Sequence, residues 1–429
     1  VRRGKTLRRL AGDDASVNEE WNCDKGRWAF KYVTSLDRLT HPLVRNAEGE
    51  LVQASWPEAL AAAAAGLKGK RAAVLTGGRV TTEDAYGYSK FARIALGTND
   101  IDYRARVTSD EERDFLAAHV AGSSTTYRDI DTADHVALVA FEPEEESPIV
   151  FLRLNKNFKK RGLKVSAVAT KGSIAMDKLK ADFIKVAPGA ESAAVAGLAL
   201  TAKSVILVGE RASESAGLFT SVAALAAKTG AKVAYIPRRA GERGALEAGA
   251  LGNVLPGGRP VMDAAARVDI AAAWGVDSLP ATPGRSASEI IDALTSGDLD
   301  AVVVGGVDAL DLPHGREAIA ALKKSFVVSL EIAPSSVTAV ADVVLPVAAI
   351  TEKSGSFLNW EGRARAFDSA VADSHNRSDV RILSMLADAL GNPISLGTVT
   401  SSAREFNQLG SWDGSRVQLA PVAAGTAKS

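Results

Sequence analysis

Short apolar runs alternate with amphipathic segments along most of the chain, and this alternation limits the folds that the sequence can adopt. Apolar runs of about 4–8 residues are typical of buried strands, whereas apolar residues three and four positions apart are typical of helices. Regular alternation of the two indicates βαβ units, in which the strands of a sheet are largely parallel. The sequence therefore predicts an α/β fold with two doubly wound, mostly parallel-sheet domains.

The predicted elements cover most of the chain between residues 72 and 390. The predicted strands are residues 72–76, 135–140, 164–169, 204–209, 232–236, 301–305, 326–330 and 342–345. The predicted helices are residues 83–96, 111–119, 147–160, 190–202, 214–228, 287–295, 315–324 and 378–390. Residues 241–282 are rich in Gly, Pro and Arg, and this composition predicts a long irregular excursion rather than more sheet.

Composition argues against several classes of protein. The 429 residues include 51 basic and 51 acidic side chains, so no net charge attracts nucleic acid or a membrane surface. No charge-free run of about 20 apolar residues is present, so no transmembrane helix is expected. A single cysteine cannot form a disulfide framework, which indicates a reducing compartment. Because the sequence begins Val-Arg-Arg-Gly and not with Met, we expect it to be a fragment of a longer protein.

The segment 341–365 joins an apolar strand to a dense polar loop. The run around Val344 predicts a buried strand, and Pro346, which has no backbone donor, marks its end. Ligands of open α/β sheets bind at the carboxyl edge, so we predict a ligand site in the loop that follows. The functional side chains of this loop are Glu352, Lys353, Asn359, Trp360, Glu361, Arg363 and Arg365. The alternative is a solvated loop that shields the sheet edge, since Gly355 and Gly362 also suit ordinary turns.

Two strand-to-helix turns contain the glycines that phosphate sites often use. Residues 75–83 place two glycines before a helix start near Thr81, and residues 304–308 are similar. Neither turn has the dinucleotide fingerprint or the Walker pattern. The alternative is close packing of strand against helix, for which glycine is also suited.

Other catalytic chemistry has little support in the sequence. The five histidines are scattered without the i, i+4 spacing of a helix-borne zinc site. No Gly-x-Ser-x-Gly nucleophile motif is present. The acidic run 142–146 is more typical of a solvated helix start than of an acid/base pair. We therefore assign no catalytic residue to this chain.

Cys23 lies among aromatic and charged residues in the segment 18–28. A lone thiol is usually a small buried hydrophobic group, but the neighbouring charges argue against a plain core position. An iron–sulfur cluster needs about four thiolates. This chain alone cannot supply them, whereas a longer chain with three cysteines upstream of Val1 can.

Several blocks of sequence resemble the molybdopterin oxidoreductase superfamily. These blocks are residues 18–28, 37–44, 55–60, 75–96 and 341–365. The block 241–260, GERGALEAGALGNVLPGGRP, resembles a narrower branch formed by the G subunits of bacterial NADH:quinone oxidoreductase, or respiratory complex I. The similarity runs in order from about residue 16 to about residue 390, and ordered matches over most of a chain are more specific than any single motif.

The resemblance implies that Cys23 is the fourth ligand of a [4Fe-4S] cluster whose other cysteines precede this sequence. It also implies that Lys25 matches the lysine between cluster and pterin in catalytic relatives. No second cysteine follows Cys23 to bind molybdenum, although some relatives use Ser or Asp, so molybdopterin is not expected. The domain is then a scaffold without catalysis of its own. The candidate residues of its vestigial pocket are Lys25, Glu352, Asn359, Arg363 and Arg365.

The superfamily also implies a domain arrangement. The implied parts are the end of a small [4Fe-4S] domain at residues 1–48, a first α/β domain at residues 49–125 and 296–395, a second α/β domain inserted at residues 126–295, and an irregular tail at residues 396–429.

For function, the resemblance implies a structural, electron-transfer-associated subunit in the peripheral arm of proton-pumping complex I. The expected partners are other peripheral-arm subunits, including the NADH/FMN-binding and iron–sulfur subunits, with no nucleic acid and no direct membrane insertion. The expected location is the cytoplasmic side of the bacterial plasma membrane, held there through the complex. The alternative is a catalytic molybdopterin-dependent oxidoreductase similar to formate dehydrogenase. A nicotinamide- or flavin-binding enzyme is less consistent, because the fingerprint glycines are missing.

Overall fold

The computed structural model describes residues 14–371 and 374–425. The strands are β1 (Leu43–Arg45), β2 (Leu51–Gln53), β3 (Ala72–Thr76), β4 (Ile101–Asp102), β5 (His135–Val139), β6 (Lys164–Ala169), β7 (Asp182–Lys185), β8 (Val205–Gly209), β9 (Lys232–Ile236), β10 (Val254–Leu255), β11 (Arg259–Pro260), β12 (Ala301–Gly305), β13 (Phe326–Glu331), β14 (Val343–Pro346), β15 (Gly355–Leu358) and β16 (Ala364–Phe367).

The helices connect these strands. They are α1 (Asp24–Trp28), α2 (Trp56–Leu67), α3 (Thr82–Ile94), α4 (Asp110–Phe115), α5 (Tyr127–Thr132), α6 (Pro143–Glu146), α7 (Pro148–Arg161), α8 (Ile174–Lys178), α9 (Glu191–Ala196), α10 (Leu218–Thr229), α11 (Glu242–Glu247), α12 (Ala264–Trp274), α13 (Ala287–Ser296), α14 (Gly315–Leu322), α15 (Asp379–Leu390) and α16 (Val399–Leu409). A π-helical turn, Leu116–Val120, extends α4.

A seven-stranded sheet has the strand order β2-β1-β14-β13-β12-β3-β4. Strands β14, β13, β12, β3 and β4 are parallel to one another, whereas β1 pairs antiparallel with both β14 and β2. The parallel strands β3 and β12 are neighbours in space although more than two hundred residues separate them in sequence. The sheet therefore takes its strands from both ends of the described chain.

A five-stranded sheet, with the order β7-β6-β5-β8-β9, is parallel throughout. Its strands all lie between residues 135 and 236, which is between β4 and β12 of the other sheet. The order places β5 and β8 at the centre, where the direction of winding reverses. This is a doubly wound arrangement, in which helices cover both faces.

Alternation of side chains along the buried strands supplies a core on each face of the seven-stranded sheet. In β3, Ala72 and Val74 belong to one apolar cluster and Ala73 and Leu75 to the other. The same alternation occurs in β12 and β14. Strands buried on both faces read as continuous apolar runs, which is why the sequence identified them. The prediction of an α/β fold with mostly parallel sheets is confirmed.

The predicted irregular excursion at residues 241–282 was wrong, because it contains α11, the β10–β11 pair and α12. Asp263 caps α12, since its side chain accepts hydrogen bonds from the backbone N–H groups of Ala265 and Ala266. Buried Arg93 of α3 donates to the carbonyl groups of Gly249, Leu251 and Val254. Glycine and proline therefore mark short elements here and not an absence of structure.

Three further segments differ from expectation. The polar loop after β14 contains a hairpin, β15–β16, in which Phe357 and Phe367 stack with ring centroids 5.7 Å apart. The tail at residues 396–429 was expected to be irregular, but α16 forms there and packs Phe406 against Tyr86 of α3. Strand β1, within residues 1–48, joins the seven-stranded sheet by pairing Leu43 with Val344. The hairpin pairs residues close in sequence, whereas β1 and α16 gain their order from packing against residues distant in sequence.

Within the described residues, no helix is both long enough and apolar enough to cross a membrane.

Candidate functional site

The carboxyl ends of β3, β12, β13 and β14 share one edge of the seven-stranded sheet, where ligands of open α/β sheets bind. The glycine turns after β3 and β12 meet there, and Gly77 N–H donates to the carbonyl oxygen of Gly305 at 2.8 Å. A Cβ atom on Gly77 would lie 2.1 Å from the carbonyl oxygen of Gly306. Glycine is therefore required for the close approach of the two turns, which agrees with the packing alternative.

Two buried carboxylates, Glu83 and Asp84, lie in the first turn of α3. Thr81 Oγ1 accepts a hydrogen bond from Asp84 N–H at 3.2 Å and donates to Asp84 Oδ2 at 2.9 Å. Buried Glu83 accepts from both the backbone N–H and the hydroxyl of Ser356, each at 2.8 Å. A phosphate at this helix start would lie beside two buried carboxylates, so the turn at residues 75–83 is poorly suited to bind one.

Lys353 forms the centre of a buried charge network beneath the hairpin. Its Nζ lies 2.5 Å from Asp84 Oδ2 and 2.9 Å from Asp379 Oδ2. Tyr88 donates its hydroxyl hydrogen to Asp379 Oδ1 at 3.0 Å. Burial would lower the pKa of Lys353, but Asp379 and Asp84 outweigh it and raise that pKa above its ordinary value. The ammonium group is therefore held charged and links the hairpin to α3 and α15.

A cavity of about 230 Å³ lies at the switch point between β3 and β12. Its walls include the two glycine turns, Arg79, Asp308 and Glu331. Arg239 also lines it and comes from the loop after β9 of the five-stranded sheet, so the cavity is bounded by both sheets' connections. The sequence singled out both turns, and the structure brings them together here.

Glu331 lies at the end of β13 and has an unusual protonation equilibrium. Burial raises the pKa of its carboxyl group to about 7, a hydrogen bond from Ile332 N–H opposes this, and Asp379 and Asp308 raise the pKa further. No cation of the described structure forms an ion pair with Glu331 within 4 Å. A carboxyl group that titrates near neutral pH in a cavity can bind or release a proton under physiological conditions.

A second buried network connects α4 to the five-stranded sheet. Arg106 Nη2 lies 2.9 Å from Glu112 Oε1 and donates to Tyr235 of β9 at 2.9 Å. Arg106 Nε also lies 3.3 Å from both Glu210 and Glu242. Burial raises the pKa of Glu242. These contacts fix the connection after β9, and with it Arg239, against the seven-stranded sheet.

The structure separates the predicted pocket residues of segment 341–365. Glu352 pairs with Arg38 at 2.9 Å, below the hairpin, and both side chains are largely buried. Asn359 stabilises the hairpin turn, because its Oδ1 accepts from Arg363 N–H at 2.9 Å. Both residues are bonded to protein groups.

Arg363 and Arg365 lie on the outer side of the hairpin. Arg363 Nε donates to Glu361 Oε1 at 2.7 Å, and Arg363 also lies 3.8 Å from Asp14. Arg365 pairs with Asp14 as well, and its side chain is more than half exposed. Glu361 in turn accepts from Tyr127 N–H at the start of α5. These arginines connect the hairpin to the N-terminal segment and do not line the cavity.

Cys23 lies immediately before α1 with its side chain exposed. Its Sγ accepts a hydrogen bond from Gly26 N–H at 3.3 Å. Lys25 is part of α1, but its side chain is outside the described structure. Within residues 14–371 and 374–425, no group of three or more His, Cys, Asp or Glu side chains could hold a metal ion. Cys23 is therefore exposed, and it is the one cysteine among the 429 residues.

The sequence singled out Lys353 and the two glycine turns, but not the other residues that organise this edge. Asp84 resembled an ordinary acid in a helix's first turn, and Asp379 is 295 positions away. Arg38 lay in the block 37–44, but only as part of the family resemblance, and Glu331 belonged to no motif. A carboxylate next to a strand or helix end is the signal common to the acidic residues, and it is too frequent to be specific.

Comparison with known proteins identifies the family. The sequence profile of molybdopterin oxidoreductases matches residues 38–389. This chain belongs to the molybdopterin oxidoreductase family. The resemblance noted from the sequence blocks is confirmed.

Within this family, the chain is most informatively compared with two relatives of known name. The chain is 51% identical to the G subunit of NADH-quinone oxidoreductase from Streptomyces coelicolor, over 97% of this chain and 54% of that protein. It is 50% identical to the protein of the same name in Mycobacterium bovis, over 99% of this chain and 55% of that protein. The chain thus spans about half the length of the curated relatives it matches.

A solved structure supports the fold. Acetylene hydratase from Pelobacter acetylenicus superimposes with a TM-score of 0.60 at 13% sequence identity, over 92% of this chain and 68% of that chain. At this identity the likeness concerns the fold alone.

Proposed function

We propose that this chain is the molybdopterin-type part of a G subunit in the peripheral arm of NADH:quinone oxidoreductase. The observation that carries the proposal is the 51% identity to a G subunit of that enzyme across 97% of the chain. Its partners are then the other peripheral-arm subunits, including the NADH/FMN-binding and iron–sulfur subunits. Its location is the cytoplasmic face of the bacterial plasma membrane, through the complex.

Within that assembly, the role proposed for this chain is structural and without catalysis of its own. Ligand pockets of cofactor size measure about 300–1,000 Å³, whereas the cavity at the switch point measures about 230 Å³. The adjacent part of the edge is filled by Lys353, Asp84 and Asp379. The small cavity and the filled edge support the proposal that no pterin dinucleotide binds here, and no step of a reaction is assigned to these residues.

Cys23 is proposed to contribute one thiolate to a [4Fe-4S] cluster. Its exposed position before α1 supports this role, because a ligand shared with another stretch of polypeptide must be accessible.

Metal and pterin analysis of the full-length protein tests the scaffold role. We expect iron, with neither molybdenum nor tungsten in stoichiometric amount and no pterin released on denaturation. The Cys23→Ser protein should lose the iron and the paramagnetic signal of one cluster. Stoichiometric molybdenum or tungsten with a pterin would overturn the scaffold role in favour of a catalytic oxidoreductase similar to formate dehydrogenase.

A further inference from the structure

Residues 410–425 form a strap that follows α16 and contains no helix or strand. The guanidinium of Arg259 holds its start, because it donates to the carbonyl oxygens of Leu409 at 2.8 Å and Gly410 at 3.1 Å. The same guanidinium lies 5.6 Å from the centre of the Trp412 ring. Since α16 packs against α3, the strap begins on the side of the seven-stranded sheet.

The far end of the strap lies on α10, the helix between β8 and β9 of the five-stranded sheet. Val422 N–H donates to Thr220 Oγ1 at 3.0 Å. Gly425 N–H donates to the carbonyl oxygen of Ala216, just before α10, also at 3.0 Å. The strap therefore crosses from the helices of one sheet to a helix of the other.

Between its ends, the strap crosses the π-helical turn that extends α4. Arg416 donates a hydrogen bond to the carbonyl oxygen of Ala121 there. Val417 and Leu419 are partly buried against the apolar core, whereas every other residue of 413–424 is exposed. Segments with few buried contacts open locally at a small cost in free energy, so the strap can detach while both sheets stay folded.

The strap ends on a junction that joins α4 to α10. Buried Glu111 of α4 accepts from Gly217 N–H at 2.8 Å, and from the N–H and hydroxyl of Thr220 at 2.6 and 2.8 Å. The Thr220 hydroxyl thus donates to Glu111 while its oxygen accepts from the strap. The next residue, Glu112, pairs with Arg106 in the network that fixes the connection after β9. A change at the strap should therefore reach that connection.

We propose that the strap is a releasable clasp that keeps α10 and the five-stranded sheet closed against the seven-stranded sheet. Its release removes a donor from Thr220 and loosens the junction between α4 and α10. Arg239, which comes from the connection after β9 and lines the switch-point cavity, then becomes free to move. The clasp controls access to that cavity, because displacement of Arg239 opens one of its walls.

Two glycines at opposite ends of α10 provide a matched test. Both have a left-handed backbone, with φ of +76° at Gly217 and +73° at Gly230, so alanine strains both positions alike. A Cβ atom on Gly217 would lie 2.8 Å from the Cα atom of Ala424 in the strap. A Cβ atom on Gly230 would approach only the Cβ atom of Ala202, at 3.2 Å. Gly217→Ala should therefore displace the strap, and Gly230→Ala should not.

Hydrogen–deuterium exchange of the full-length protein, read by mass spectrometry, measures the release. In Gly217→Ala, the amides of Val422 and Gly425 should exchange about tenfold faster than in the parent, and those of the connection after β9 about threefold faster. Gly230→Ala should match the parent in both regions. Arg416→Ala, which removes the middle contact, should accelerate both regions to a smaller extent. Its control is Arg404→Ala, at an exposed arginine of α16, which should leave both at the parent rate.

The connection after β9 decides between a clasp and a passive segment. Faster exchange there in both strap variants, and in neither control, supports the clasp. If the strap amides lose protection while this connection keeps the parent rate, the strap is passive and the proposal is wrong. Equal acceleration in the two glycine variants would assign the effect to backbone strain and would also overturn it. Should Gly217→Ala fail to fold, Arg416→Ala against Arg404→Ala decides by the same comparison.

Discussion

Buried carboxyl groups are compensated differently in two halves of the carboxyl edge of the seven-stranded sheet. Beneath the hairpin, Asp84 and Asp379 share one ammonium group, that of Lys353. At the switch point, Glu331 borders a cavity of about 230 Å³, and none of the ion pairs among the described residues includes it. In the first half, the carboxylates are therefore stabilised in their charged form by an ion pair. In the second half, burial raises the pKa of the Glu331 carboxyl group to about 7.

This difference in charge pairing shows how protein side chains can fill an edge of the sheet where ligands of open α/β sheets bind. A lysine from the loop after β14 occupies space at the edge and neutralises the carboxylates there. Removal of one partner from such a network is costly, because it leaves a buried charge without compensation. Pairing thus makes one half of the edge rigid, whereas the other half remains responsive to pH.

The largest expected effect follows from Lys353→Met, which leaves Asp84 and Asp379 buried without their cation. The free energy of unfolding should fall by about 3–5 kcal/mol, measured by urea denaturation at pH 7. Lys323→Met, a change of the same type at an exposed position after α14, should alter it by less than about 0.5 kcal/mol. Equal effects of the two substitutions would contradict the distinction between paired and solvent-exposed lysines.

Glu331→Gln tests the unpaired half through its pH dependence. Because the pKa of Glu331 is raised from 4.5 to about 7 on folding, the folded state binds the proton more tightly than the unfolded state. The free energy of unfolding of the parent protein should therefore fall as pH rises from about 4.5 to about 7. Above pH 7 the loss should stay constant. The Gln variant lacks this penalty and should be more stable than the parent at pH 8 by about 1–3 kcal/mol.

The control for Glu331 is Asp311→Asn, which removes an exposed carboxylate from the same cavity wall. Its free energy of unfolding at pH 8 should differ from that of the parent by less than about 0.5 kcal/mol. A Glu331→Gln protein whose difference from the parent does not change between pH 5 and 8 would show that Glu331 is ionised throughout.

Gly305→Ala tests how closely the two halves are packed together. A Cβ atom on Gly305 would lie 1.9 Å from the Tyr88 hydroxyl oxygen, which itself bonds to Asp379. We expect a loss of about 1–3 kcal/mol in the free energy of unfolding. Gly197→Ala meets only ordinary contacts and serves as control. Combination with Tyr88→Phe should give less than the sum of the single losses, and strict additivity would be evidence against the clash.

The smallest effect is expected at the outer side of the hairpin. Arg365→Ala breaks a pair with Asp14 in which the arginine is more than half exposed, so the loss should be below about 1 kcal/mol. The same pair is screened by salt, and 1 M NaCl should reduce the difference from the parent further. A loss above about 3 kcal/mol would show that this strand of the hairpin supports the edge as strongly as Lys353 does.

Much of the fold was predictable because its signals are local. Strand β14 appeared as an apolar run ending at Pro346, and the two glycine turns that line the cavity were singled out as strand-to-helix turns. The site was less predictable. Lys353 was identified as a polar residue of the loop, but its partners lie 269 and 26 positions away, and no local pattern predicts such pairs. Helix α16 was missed for the same reason, since its partner Tyr86 is distant in sequence. The hairpin is local, but its polar residues also suit an ordinary loop.

The order of strands along the chain has a consequence for folding during synthesis. The five-stranded sheet is complete once residue 236 has been made, because all of its strands are contiguous in sequence. The seven-stranded sheet must wait for β12, β13 and β14, so β3 and β4 leave the ribosome long before their neighbours exist. Domains generally fold as units while the chain emerges. The inserted sheet should therefore be native first, and its early closure brings the two distant halves of the outer sheet together.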